Sequence, residues 1–243
     1  MIKGILFDKD GTLIDFYDLW LWAALSVVPV FMEKNGIPAD DGMEEYLLGT
    51  LGIKDGKVEP DGALAYKAYS EIATDLSEAL AKKGMFLSAG QIESQIVILF
   101  ENYVSRKDVV VKPLADLKKL FGTLKCQGIA IGLATADTAV SAKNCLKALG
   151  VLEYFDYVGA DDGSCRPKPD PDMLLRFAGK MGIMPEEIMV VGDTYNDIRF
   201  AKACGSIAGG VLSGVSRVED YRGEADYVLE SVAALSYIGD GGN

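Results

Sequence analysis

Apolar positions gather first in a short run, Ile2 to Phe7, interrupted by Lys3 and Gly4 and ended by Asp8. Six residues are too few for a stable helix and suit a strand buried on both faces. The next run of this kind is Ile129 to Thr135, IAIGLAT. A crossover between parallel strands needs only a helix and two short loops, so the long interval between the runs must hold an insertion. Its pattern is helical. Leu19 to Lys34 is apolar nearly all round; Ala65, Tyr69, Ile72, Leu76 and Leu80 recur at steps of three and four, as do Ile92, Ile96, Leu99 and Tyr103, and each set predicts one helix stripe. Between them Gly49 to Gly62, GTLGIKDGKVEPDG, reads as a loop or turn. Trp20, Trp22, Tyr66 and Tyr69 are expected in the core of this insertion rather than around a ligand.

After Val110 the rhythm becomes regular. Helices are expected over Pro113–Gln127, Thr138–Leu149 (with Gly150 as its stop), Pro171–Met181 and Asn196–Ala203. Strands are expected over Phe155–Val158, Ile188–Val191, Ile207–Leu212 and Tyr227–Leu229. Alternating strands and helices predict an α/β fold, a mainly parallel sheet covered on both faces. The domain assignment is a core of residues 1–15 and 108–243 and a helical insertion of residues 16–107. Gly239 to Asn243 reads as a frayed tail.

Composition narrows the function classes. The 243 residues carry 36 acidic and 24 basic side chains, a net charge of −12, which argues against a nucleic-acid or anionic-membrane surface. No histidine is present. Imidazole bases and histidine metal sites are thereby excluded, and acid/base work falls to carboxylates, Lys or Tyr. Four scattered cysteines without a CxxC spacing fit buried or half-buried thiols in a reducing compartment. The amino terminus enters the first strand without a signal-peptide pattern. Leu19 to Met32 falls short of the roughly 18 residues of a spanning helix and contains Pro29. The expectation is a cytoplasmic protein without a membrane span.

Candidate chemistry lies at strand ends. Asp8 closes the first strand, Asp10 lies two residues on and points the same way along an extended chain, and Gly11 permits a sharp turn. Two carboxylates so close repel unless a cation lies between them, and a hard divalent ion such as Mg²⁺ suits oxygen ligands. An ordinary acidic turn uses the same residue types. Thr135-Ala136-Asp137 offers a hydroxyl and backbone N–H groups for phosphate oxygens, or a cap for the helix that follows. Lys168, bracketed by Pro167 and Pro169, places an ammonium on a stiff loop. Asp193, straight after IMVV, occupies the same strand-end position as Asp8, with Asp197 in the first turn beyond; Thr194 or Asn196 could cap that helix. Oxygens of Asp8, the Asp10 backbone carbonyl and Asp193 would make an open Mg²⁺ site.

DKDGTL, Thr135, Lys168 in RPKPDP, and GDTYND resemble, in order and spacing, the four motifs of the haloacid dehalogenase (HAD) superfamily, and the chain is similar to its phosphoglycolate-phosphatase-like branch. The resemblance implies a Rossmann-like doubly wound core with an inserted α-helical cap domain that closes over the site. It implies Asp8 as a nucleophile forming an aspartyl phosphate and Asp10 as the proton donor and acceptor. Thr135 and Lys168 would bind phosphoryl oxygens, and Mg²⁺ would be held by Asp8, Asp10, Asp193 and Asp197. The substrate implied is a small phosphorylated metabolite, with 2-phosphoglycolate one candidate. A sugar phosphomutase of the β-phosphoglucomutase type shares the motifs. A non-catalytic phosphate-binding or signalling module is the alternative outside enzymes. Dehalogenases of the superfamily lack an aspartate at the Asp10 position, which favours phosphoryl transfer. Two departures stand out: Lys9 where a hydrophobic residue is more common, and Ala136 where Asn often follows the threonine.

Overall fold

The computed structural model describes residues 1–39, 42–106, 108–161 and 163–237. The tail expected to fray, Gly239 to Asn243, lies outside them. The chain divides into two compact units, residues 1–16 with 111–243, and residues 17–110. Strand β1 (Gly4–Phe7) opens the first.

The helical unit begins with a π-helical turn, Tyr17–Leu21, which leads into α1 (Trp22–Lys34). It continues through α2 (Met43–Thr50), β2 (Ile53–Lys54), β3 (Lys57–Val58), α3 (Ala63–Tyr66), α4 (Tyr69–Lys82) and α5 (Ala89–Val104). Trp20 and Tyr69 stack around Phe100 at ring-centroid distances of 5.8 and 5.7 Å. Three expectations need correction. Trp22 is exposed: it lies on the face of α1 shared with Ser26 and Val30, four and eight residues on, while Ala23, Val27 and Phe31 turn inward. The stripe from Ala65 to Leu80 spans two helices, because the Glu71 carboxylate accepts the Ala68 N–H at 3.1 Å and starts α4 afresh. The stretch expected to be loop alone carries the β2–β3 antiparallel pair, Ile53 opposite Val58.

The first unit resumes with α6 (Leu117–Cys126), β4 (Ala130–Ala134), α7 (Ala139–Ala148), β5 (Tyr157–Gly159) and α8 (Asp172–Met181). It ends with β6 (Ile188–Gly192), α9 (Tyr195–Lys202), β7 (Ile207–Val211) and β8 (Tyr227–Leu229). Six parallel strands pair in the order β5-β4-β1-β6-β7-β8. Strand β1 is central, and Ile5, Leu6 and Phe7 are each at most 2% exposed. Burial of each such side chain contributes about 1.5–3 kcal/mol. Leu6 belongs to the core cluster with Phe177 of α8 and Ile198 of α9, and Phe7 meets Phe121 of α6 edge-on at 5.6 Å.

Helix α6 starts at Leu117, later than expected, because the Asp116 carboxylate accepts the Lys119 N–H at 3.1 Å and because Pro113 forms a bridge with Ile14. That bridge belongs to a short staple: Leu114 N–H donates to Leu13 O at 3.0 Å and Asp15 N–H to Lys112 O at 2.9 Å. All four cysteines are free; Cys145 is buried, Cys165 and Cys204 are half-buried, and Cys126 is exposed, against the expectation of burial. Among the described residues no helix is long and apolar enough to cross a membrane.

Candidate active site

Register brings the strand ends together. Phe7 lies opposite Leu133 of β4 and Val191 of β6, so Asp8, Thr135 and Asp193 leave the sheet at its carboxyl edge, where open α/β sheets bind ligands. The Asp8 N–H donates to Val191 O at 2.8 Å, which fixes the end of β1 against β6. A tight turn follows, in which Lys9 O accepts the N–H groups of Leu13 (2.8 Å) and Ile14 (3.1 Å). Gly11 takes φ +77° there, and a Cβ on it would lie 2.2 Å from an Asp193 oxygen. Only glycine serves both demands.

Lys168 stands on the loop between β5 and α8. Arg166 pairs with Asp170 and Asp172, each at 2.8 Å, and the Asp170 N–H donates to Pro167 O at 3.0 Å, so the loop is held from both sides of the lysine. The buried Lys168 Nζ donates to Asp8 Oδ1 and to Asp197 Oδ1, both at 2.6 Å. Asp197 spends its other oxygen on the start of α9, accepting Thr194 Oγ1–H at 2.6 Å and Thr194 N–H at 3.1 Å. Asp193 Oδ2 accepts the Val215 N–H at 2.9 Å, and a Cβ on Gly214 would lie 1.9 Å from that oxygen.

Carboxylate oxygens of Asp8, Asp193 and Asp197 thus lie within 4.8 Å of one another, all three buried. Burial, with added repulsion from Asp197 and Asp10, pushes the Asp8 carboxyl up to about 7 in spite of Lys168. Burial and the charges of Asp8 and Asp197 likewise raise Asp193 well above the usual carboxylate range. Burial works to lower the Lys168 ammonium, but Asp197 and Asp8 outweigh it and hold the group protonated. Three acids facing one base leave negative charge in excess. The donor set is hard oxygen alone, and the excess charge and short separations fit a small divalent cation.

The other two expected site residues stand differently. Thr135 is buried at the end of β4, where its N–H donates to Gly159 O and its Oγ1 accepts the Asp137 N–H, each at 3.1 Å. The Asp10 carboxylate lies outside the group of three and pairs with Lys9 at 2.9 Å. Sequence reasoning missed the loop after β7, where the backbone of Val215 holds Asp193 and Ser213 Oγ donates to Gly11 O at 2.9 Å. A strand ending in Gly-Val-Leu-Ser-Gly-Val was the available signal. It also missed the pairing of Lys9 with Asp137 at 3.0 Å.

The model of the haloacid dehalogenase-like hydrolases matches residues 2–205. A phosphoglycolate phosphatase of Shigella boydii is 33% identical over 242 residues, covering 96% of this chain and 91% of its own. Two solved structures share the fold: a predicted phosphoglycolate phosphatase from Haemophilus somnus (TM-score 0.72, 19% identity, 98% and 97% coverage) and β-phosphoglucomutase from Clostridium difficile (TM-score 0.69, 21% identity, 99% and 96% coverage). The chain belongs to the haloacid dehalogenase-like hydrolases and is a phosphatase of that family.

Proposed function

We propose that the protein is a Mg²⁺-dependent phosphomonoesterase acting on a small phosphorylated metabolite through an aspartyl phosphate on Asp8. The observation that carries the reading is the buried Asp8 carboxylate held at 2.6 Å by Lys168, with Asp193 and Asp197 beside it. An Asp8 oxygen attacks phosphorus, the bond to the leaving alcohol breaks, and Asp10 gives that oxygen its proton. Water then attacks the phosphoenzyme, Asp10 takes the water's proton, and the Asp8 carboxylate and inorganic phosphate are released. Thr135 and Lys168 bind the phosphoryl oxygens and offset their charge. Asp8, the Asp10 carbonyl, Asp193 and Asp197 would hold Mg²⁺, which when bound supplies positive charge against the phosphate dianion. Residues 1–15 and 108–243 serve as the catalytic core, and residues 16–107 serve as the cap that selects the substrate. The identity to phosphoglycolate phosphatases makes 2-phosphoglycolate the first substrate to try.

The test is a panel of phosphorylated metabolites with Mg²⁺, read as phosphate release. Asp8→Asn should lower turnover at least about a thousandfold, as loss of a nucleophile does elsewhere. Substantial activity in a clean preparation of that variant would sink the covalent route. Isomerisation of β-glucose 1-phosphate in the presence of its bisphosphate, with little phosphate released, would replace the hydrolase by a mutase.

A further inference from the structure

Lys9 follows the nucleophile directly, and its side chain is 0% exposed. Its ammonium lies 2.9 Å from each oxygen of Asp10 and 3.0 Å from Asp137 Oδ2. Asp137 is itself fixed: its Oδ1 accepts the Thr138 N–H at 2.7 Å and its N–H donates to Thr135 Oγ1 at 3.1 Å. A continuous series of contacts therefore joins Asp10, through Lys9, to the loop between β4 and α7.

Removing an ammonium from water costs several kcal/mol before any partner is met, and a set of apolar residues of similar volume in place of a whole buried ionic group is often neutral or stabilising. Core packing alone therefore does not account for a lysine here. What the lysine adds is direction. Asp10 stands on a turn rather than within a strand ladder, and a reacting group displaced by about 1 Å can cost a hundredfold in rate.

We infer that Lys9, braced by Asp137, is a positioning residue that aims the Asp10 carboxyl at the leaving-group oxygen. The inference rests on the proton-shuttle reading of Asp10. Lys9 itself neither gives nor takes a proton. In the first step the Asp8 oxygen–phosphorus bond forms, the phosphorus–alcohol bond breaks, and the proton passes from Asp10 to the departing oxygen. An alkyl leaving group needs that proton, whereas para-nitrophenolate leaves without it. Misdirection of Asp10 therefore shows as selective loss on alkyl esters, and a general loosening of the fold does not.

The experiment measures kcat/KM of the full chain with Mg²⁺ for the best alkyl phosphomonoester of the panel and for para-nitrophenyl phosphate. Lys9→Met should lower the alkyl-to-aryl ratio by about tenfold or more, within the usual range for general acid catalysis. Asp137→Asn, which removes only the brace, should lower the same ratio by about threefold. Lys9→Met placed in an Asp10→Asn background should add nothing to the fall that Asp10→Asn causes. An unchanged ratio in Lys9→Met with native melting overturns the inference. Should Lys9→Met not fold, an unchanged ratio in Asp137→Asn does the same. If Asp10→Asn lowers the ratio while the other two leave it alone, the positioning role alone fails. If Asp10→Asn leaves it alone as well, the proton-shuttle reading itself is wrong and the inference falls with it.

Discussion

Two buried lysines, Lys168 and Lys9, each lie between two carboxylates, and their settings differ in charge and in freedom. Lys168 meets Asp8 and Asp197 with Asp193 close by, three acids to one base, beneath a carboxyl edge where the Asp8 side chain keeps 10% exposure. Lys9 meets Asp10 and Asp137, two acids to one base, and one of those acids is anchored to backbone. The first cluster is short of positive charge, which suits the cation and the phosphate proposed for it. The second is nearer to balance and acts as a brace. The same side chain thus serves two ends, decided by how many acids face it and by whether those acids are tied down.

The comparison can be broken most sharply at Lys168. Lys168→Met leaves buried carboxylates without their ammonium and should lower metal-free stability by about 3 kcal/mol or more, read by urea denaturation. A smaller loss would mean that the acids are better solvated than their burial implies. Next in size is the cation itself. Mg²⁺ at a hundred times its Kd should stabilise the native chain by about 2.7 kcal/mol, a gain that Asp193→Asn should abolish in the same melts. Equal gains in both would place the cation elsewhere. Removing both members of the brace, Lys9→Met with Asp137→Asn, should cost only about 1 kcal/mol, since no buried charge remains and the Asp10 carboxylate left behind keeps 16% exposure to water. The smallest effect belongs to a surface pair that neither cluster touches. Asp226 is held below its ordinary range first by the Ala208 N–H and then by Lys202, at 2.8 and 2.6 Å. Its folded value is the lower one, so its contribution is present above its unfolded pKa and is lost as pH falls through the folded one. Asp226→Asn should therefore lower stability slightly at neutral pH, leave it unchanged below the folded pKa, and so flatten the acid limb of the stability curve. An equal loss in strong acid would contradict that assignment.

The parallel order of β4, β1 and β6 was legible in the chain because buried strands announce themselves as apolar runs, and a polar residue ending such a run marks the edge of the sheet. Asp8, Thr135 and Asp193 could be placed by that logic, and Lys168 by its flanking prolines. The Lys9–Asp137 pair was not legible. An apolar slot next to a strand says that something will be buried, and no local pattern tells that an acid on the loop after another strand will meet a lysine there. The hold of Val215 on Asp193 was invisible for a different reason, since a backbone N–H is common to nearly every residue type. In the helical unit, periodicity ran unbroken across the join of α3 and α4 because a capping contact through Glu71 leaves the apolar spacing undisturbed. Trp22 misled because size was taken for burial, while its angular position on α1 points outward.

The staple of Leu13–Asp15 against Lys112–Leu114 has a consequence for how such a chain can change. The outgoing and returning segments are already hydrogen-bonded to each other inside the sheet-bearing unit, so the ends of the insertion are joined before its own residues are counted. Loop-closure entropy grows only slowly with length, by about 0.6 kcal/mol per doubling. The helical segment can therefore lengthen, shorten or be exchanged whole with little penalty to the sheet. On the proposed role of the helical segment as a cap, substrate preference can change in an exchangeable module while the strand ends stay as they are.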